Sequence, residues 1–287
     1  MIKKTLIAAI LAFFVSCHLL HGQEVELRNK IRIVVRASIM RLLNDVTYSY
    51  ALSSLLESQQ KVWQFWVIFK VPKDSVKNVS TISGWRVATP EVERTVSIRW
   101  GSPGSADISP GESRGGFIVE SIMPAGVVDY YAEGYAPPPA WEGSVAEDTI
   151  PGYDDLTPYG PGIVGKTVGP FLPPDPFASL NFLDTLLSYT RQSAALGWLG
   201  RDRDDDCDDD ERPDDGVVRN IENRLQKARR ELVRGDSVKA RRELVKLVRK
   251  VDRLHRRGER VMTSEAYALL KYNTEYLIER LPERRRR

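Results

Sequence analysis

The 287-residue sequence is short of the side chains on which most enzyme mechanisms depend: it has 3 histidines and 2 cysteines. His18 and His21 stand near the N-terminus, which leaves His255 as the only histidine farther along. Ser-His-Asp and Cys-His catalysis both need a histidine beside the nucleophile, and no serine here has a nucleophile-elbow context. A zinc site built on several histidines is excluded by the count. His255 lies among Arg253, Arg256 and Arg257 and reads as a surface residue rather than a base. A phosphate-binding loop is also missing. Gly162-Ile163-Val164-Gly165-Lys166-Thr167 ends like one, but its first glycine is too close and no helical period follows.

Long apolar runs are scarce too. The exception is Leu6 to Val15, preceded by Lys3 and Lys4 and followed by small and polar residues through Gly22. A membrane-spanning helix needs about 20 apolar residues, and this run has roughly half that, so residues 1–22 are expected to be a secretory signal peptide. The mature chain is then secreted, periplasmic or held at the cell envelope. Cleavage after Gly22, with Leu20 two positions before it, is one outcome. The other rests on Phe14-Val15-Ser16-Cys17, which resembles a lipoprotein box with Cys17 as the lipidated residue. Phe14 replaces the usual Leu of such a box, and Leu19-Leu20 stand where a polar tether is expected. Cleavage after Gly22 leaves about 265 residues, enough for two domains. It also leaves Cys207 as a lone thiol, so stability must come from packed cores rather than an internal disulfide. No later run could span a membrane, and the tail Arg284 to Arg287 follows no hydrophobic helix.

What is present divides into two patterns that meet near Pro170 to Pro176. Upstream, apolar residues alternate. Tyr48, Tyr50 and Leu52 share one face of a strand, and Trp63, Phe65, Val67, Phe69 and Val71 repeat the period of two. Further strands are expected over Thr95–Trp100, Gly116–Ser121 and Val127–Tyr135, separated by turn signals at Ser83-Gly84, 101–104, 109–111 and 124–126. Short strands at this spacing, with no helical period between them, predict an antiparallel β-sandwich over residues 23–150. A Pro/Gly-rich linker is expected over 151–176 and a helical bundle over 177–287, giving a multidomain all-β plus all-α chain.

In the bundle, Phe182, Leu183, Leu186 and Leu187 open the first helix, which ends at Gly197-Trp198. Val218, Ile221, Leu225, Ala228 and Leu232 line the second, stopped by Gly235, and Asp236 is placed to cap the third. Ala240, Leu244, Leu247, Val251 and Leu254 line that third helix. The fourth starts at Thr263 or Ser264, carries Ala266, Leu269, Leu270, Asn273, Tyr276 and Leu277, and stops before Pro282. Each stripe is too narrow for a helix buried all round.

Several of these stretches carry a resemblance. Phe182-Leu183-Asp184-Thr185-Leu186-Leu187-Ser188, Leu196-Gly197-Trp198-Leu199, Leu225 to Ala228 with Leu232, Gly235-Asp236 and Met262 to Leu270 resemble the FIMAH domain. This is a helical module at the ends of many exported bacterial and archaeal proteins. Leu247-Val248 replaces the Phe-Ile common on its third helix, and Gly165 to Pro170 is similar to the linker that often joins it to a β-rich partner. The upstream half resembles Ig-like β-sandwiches of exported bacterial proteins through Tyr48-Ser49-Tyr50, Gly84-Trp85 and Pro110-Gly111-Glu112-Ser113-Arg114-Gly115-Gly116-Phe117. Both resemblances imply fold rather than catalysis.

Three features bear on ligands. The acidic run Asp202 to Glu211, within a loop over 201–216, places Asp202, Asp204, Asp206 and Asp208 at alternating positions suited to a calcium ion. Cys207 stands where a calcium loop needs glycine, and no bidentate Glu closes it, so a solvated loop is the plain alternative. Calcium is the only cofactor the sequence suggests. From Val217 onward there are 22 Lys and Arg against 10 Asp and Glu, an excess that suits an anionic surface. No nucleic-acid motif or interleaved aromatic accompanies it, which argues against nucleic acid. On the strand around Trp63, the face opposite the core carries Trp66 and Ile68, a binding surface for protein or polysaccharide unless it is covered. Binding, adhesion or assembly outside the cytoplasm is therefore the expected role, without enzymatic activity. The alternatives are a calcium- or glycan-binding module, or a hydrolase built on carboxylates such as Glu147-Asp148 and Asp154-Asp155.

Overall fold

Alternation of apolar side chains sets the strands. A computed structural model describes residues 30–43, 45–92, 95–134, 163–200 and 215–282. Strand β1 (Ile33–Leu42) pairs with β2 (Asp45–Ser54), and β2 pairs in turn with β8 (Ser113–Ser121). β4 (Val76–Ser80) closes this four-stranded antiparallel sheet, ordered β1-β2-β8-β4. The second sheet runs β10 (Ile163–Pro170), β9 (Ala125–Gly134), β3 (Val62–Phe69), β7 (Thr95–Gly101), β5 (Arg86–Ala88), and the short β6 (Glu91–Val92) also pairs with β7. All pairings are antiparallel.

Between the sheets lie Tyr48, Tyr50, Leu52, Phe65, Val67, Phe69, Ile98, Trp100 and Phe117, all fully buried. Phe65 stacks on Trp100 with ring centroids 5.6 Å apart, and Phe117 leans on both. Each such side chain contributes about 1.5–3 kcal/mol by leaving water. The Tyr50 hydroxyl crosses the core to donate to the Val168 carbonyl at 2.9 Å, joining β2 to β10 in the opposite sheet. Burial holds the Tyr50 phenol far above its ordinary range, so it remains a neutral donor. The Pro110-Gly111 signal forms the expected turn, with Glu112 N–H donating to Ser109 C=O at 3.0 Å. Gly116 then forms a bulge opposite Tyr50 and Ala51, at φ 102° and with no room for a Cβ beside Ile82.

The described part of the expected linker is a strand of the sandwich. Gly165 and Gly169 read as linker composition, yet each lies where a Cβ would come within 2.4 Å of a ring, Tyr130 and Phe69 respectively. Their smallness serves close packing of β10, so the sandwich extends to Pro170 rather than ending at 150.

Four helices follow: α1 (Ser179–Ala195), α2 (Asp215–Val233), α3 (Ser237–Arg256) and α4 (Ser264–Arg280). Their facing stripes, including Phe182, Leu186, Ile221, Leu225, Leu244, Leu247, Val251 and Leu270, make a second core. Asp236 caps α3 as expected, its carboxylate accepting from Lys239 N–H at 2.9 Å. The Lys239 ammonium and that same N–H hold the Asp236 carboxyl below its usual range.

Helix α4 departs from the narrow-stripe expectation because it is buried on two sides. Ala266, Leu270 and Leu277 face the bundle, whereas Ala268 and Leu269 join the sandwich core. Asn273 donates to the Ala125 carbonyl of β9 at 2.7 Å. The first turn of α4 meets the outer edge of β1. Glu265 accepts from Ala37 N–H at 2.6 Å, and Ser264 Oγ accepts from Ile39 N–H at 3.0 Å. Farther along, Arg41 lies 2.9 Å from Glu279 and 3.5 Å from Glu275.

Replacing Tyr50 by Phe leaves the buried Val168 carbonyl without this donor. Denaturant unfolding is expected to show a loss of about 1–3 kcal/mol; an unchanged midpoint would mean that the cross-core bond contributes nothing.

Candidate binding face of the larger sheet

The period of two that buries Phe65, Val67 and Phe69 turns Gln64, Trp66 and Ile68 to the outer face of the six-stranded sheet. Strand register then decides their neighbours. Val164, Tyr131, Trp66, Arg99 and Ala88 form one row across five strands. Lys166, Asp129, Ile68 and Ser97 form the next row toward one end. Glu133, Gln64, Gly101 and Arg86 form the row on the other side.

Trp66 is half-buried, and two side chains of this same face touch its ring. The Arg99 guanidinium stands 4.5 Å from the Trp66 ring centroid, within cation–π range. Tyr131 lies on the other flank, ring centroids 4.8 Å apart and planes inclined at 48°. The indole N–H donates to Gln64 Oε1 at 3.0 Å, which fixes the ring's orientation. Gln64 and Tyr131 are themselves buried, so the cluster is set on rigid strands. Ile68 is half-buried beside the Lys166–Asp129 ion pair.

Glu133 adds a titratable group. Burial raises its carboxyl above the usual value, while the Arg99 charge and a hydrogen bond from Tyr131 pull it back only in part. The face thus joins an aromatic ridge, a guanidinium and a carboxyl whose charge is costly to hold. Trp66 and Ile68 were visible in the sequence. Arg99, Tyr131, Gln64 and Glu133 were not, because they come from other strands or from positions whose facing depends on register.

The other expected sites are placed as follows. Cys17 with the signal segment, Asp202, Asp204, Asp206 and Asp208 of the acidic run, and the pairs Glu147-Asp148 and Asp154-Asp155 lie outside the described residues. His255 is half-buried, with its ring stacked on Tyr267 at 4.1 Å and Nδ1 3.4 Å from the Met262 carbonyl oxygen. Beside it, Tyr267 donates to Asp252 at 2.9 Å, and Lys271 reaches both Asp252 and Tyr267 at 2.8 and 2.7 Å. Burial opposes the Asp252 charge, but the Lys271 and Tyr267 hydrogen bonds outweigh it and hold the carboxyl below its usual range. Among the described residues, no group of three or more His, Cys, Asp or Glu side chains is arranged to hold a metal ion, and no helix is long and apolar enough to cross a membrane.

Residues 205–279 match the FIMAH domain, a range that begins beyond α1 and takes in α2 and α3 with nearly all of α4. No curated protein matches the chain. Among solved structures, an uncharacterised protein from Nocardia farcinica with an immunoglobulin-like fold is 16% identical; the alignment covers 45% of this chain and 95% of that one, with a TM-score of 0.28. A cohesin module from a Clostridium perfringens family 33 glycoside hydrolase is 12% identical over 36% of this chain and 79% of that one, with a TM-score of 0.25. Likeness at these scores carries no functional argument; the two sheets rest on their own strand pairing.

The raised Glu133 carboxyl has a consequence for pH dependence. A folded-state value above the unfolded one favours the folded protein at low pH, and that advantage is lost as pH rises through the folded value. Glu133→Gln abolishes the loss, so its melting temperature is expected to gain on wild type between about pH 4 and pH 7. A difference that stays constant across this range would show that Glu133 titrates normally.

Proposed function

We propose that this is an exported, non-catalytic protein that works by binding or assembly at the cell envelope or outside the cell, with the outer face of its larger sheet as the contact surface. The observation that carries the proposal is the Arg99–Trp66–Tyr131 stack, held rigidly at the centre of a sheet face and still partly open to solvent. Tryptophan, tyrosine and arginine are the residues that most often dominate binding energy, and they do so where neighbours already fix their rotamers. The buried Gln64 supplies that preorganisation through the indole N–H.

The partner suited to this face is a protein rather than a sugar. A saccharide needs the open face of an aromatic ring, and Arg99 covers one face of Trp66 while Tyr131 crowds its flank. A protein surface can use the stack as it stands, meeting the guanidinium with a carboxylate or carbonyl and the indole edge with an apolar side chain. The FIMAH domain, a module of exported proteins, accords with a role outside the cytoplasm.

The test is recovery of partners from the envelope and medium of the producing cells, using the mature chain as bait beside Arg99→Ala and Trp66→Ala variants. One protein is expected to bind wild type and to lose about tenfold or more in affinity with either variant, the size of a hot-spot truncation. Equal binding by all three chains would remove this face from the account.

A further inference from the structure

Helix α3 has an exposed side of one chemical kind. Its core stripe, Ala240, Leu244, Leu247, Val251 and Leu254, is buried against the bundle. The positions open to solvent are Lys239, Arg242, Lys246, Arg249, Arg253 and Arg256, and no other residue of the helix is fully exposed. Their intervals alternate between three and four residues, so they lie one above another in a single row. At about 1.5 Å per residue the row is about 25 Å long.

Stability does not call for such a row. Like charges three or four residues apart repel by about 0.2–0.5 kcal/mol per pair, and a helix selected only for solubility mixes signs. Lys239 is met by Asp236 at 2.9 Å and Lys246 by Glu243 at 2.5 Å. Among the described residues, Arg242, Arg249 and Arg253 have no carboxylate within ion-pair distance. The Nε groups of Arg253 and Arg256 instead donate to the carbonyls of Arg249 and Asp252 at 3.3 Å, which steadies the side chains without neutralising them. The adjoining α2 extends the field: among its residues whose side chains are described, Arg219, Lys227 and Arg230 are exposed and no carboxylate is.

We propose that this α3 face, widened by α2, binds a linear anionic polysaccharide, carboxylated or sulfated, laid along the helix. The α3 row, itself one cation wide and flanked by the α2 cations, fits a thin polymer with regularly spaced charges. It fits a bilayer poorly, since α3 exposes no apolar side chain and α2 exposes only Val233 at its last position, too little to anchor in the acyl region. It also lacks the exposed aromatic platforms on which single-stranded nucleic acid stacks. The surface belongs to the bundle and makes no use of the Trp66 cluster, so it is independent of the protein-binding face.

The experiment measures binding of the full mature chain to heparin, a sulfated probe, and to polygalacturonate, a carboxylated one, at two salt concentrations. Arg249→Glu/Arg253→Glu and Arg249→Gln/Arg253→Gln are compared with wild type, and Arg99→Ala serves as control. Helical ellipticity establishes that the variants fold, which their exposure favours. Wild type is expected to bind at least one polysaccharide with an affinity that falls steeply as salt rises. The Glu pair should lose about tenfold or more, the Gln pair should lose less, and Arg99→Ala should match wild type. Failure of wild type to bind either polysaccharide would overturn the proposal. So would an unchanged affinity in the Glu pair, or tighter binding to duplex DNA or to phosphatidylglycerol vesicles than to both polysaccharides.

Discussion

Strand β1 ends the four-stranded sheet, and the amides of Ala37 and Ile39 on its outer side must find acceptors or remain unpaired. An exposed strand edge invites another chain, and a buried unpaired amide costs about 1–3 kcal/mol. The first turn of α4 meets both needs. The Glu265 carboxylate and the Ser264 hydroxyl take the places that a neighbouring strand's carbonyls would fill. A carboxylate in that turn also sits favourably at the positive end of the helix dipole. Leu269 and Asn273 then follow down the same side of α4 into the sandwich. The bundle is therefore part of the sheet's edge chemistry, and the partition into β and α halves applies to sequence order more than to packing.

This joint fixes where the two proposed surfaces lie. Sealing β1 occupies α4, whose other side faces the bundle core, and leaves the outer faces of α2 and α3 free to carry charge. The six-stranded sheet keeps its own outer face, with Trp66 on the central strand β3. One chain thus presents an aromatic–guanidinium ridge on its sandwich and a cationic row on its bundle, two chemistries suited to different ligands.

How legible this was depends on whether a residue's role is local. The stripes of α1 to α3, the Asp236 cap and the alternation in β2, β7 and β3 from Phe65 onward follow from the residue's own neighbours in sequence, and they stand as expected; at the start of β3 a register shift between Val62 and Gln64 buries Val62 and leaves Trp63, expected in the core, half-buried. β1 was not anticipated: Val34, Met40 and Leu42 point outward and are exposed, so inward and outward positions look alike. β10 was hidden for the opposite reason. Its glycines carry the composition of a linker, while the rings they accommodate, Tyr130 and Phe69, lie far away in sequence. The same limit applies to the candidate site. Trp66 and Ile68 followed from alternation, whereas Arg99 over Trp66 depends on the pairing of β3 with β7, a non-local fact. Glu265 reads as an ordinary first-turn acid, and only the tertiary structure shows what it accepts.

Native-state hydrogen exchange of wild type and Glu265→Ala tests the edge-sealing role most directly. Slowly exchanging amides in the sandwich, such as Phe65 and Val67, and in the bundle, such as Leu244 and Leu247, are expected to lose protection by the same amount in the variant. That amount should be about 1–3 kcal/mol. Loss of protection in the bundle alone, with β3 unchanged, would contradict that role and show two units that merely touch.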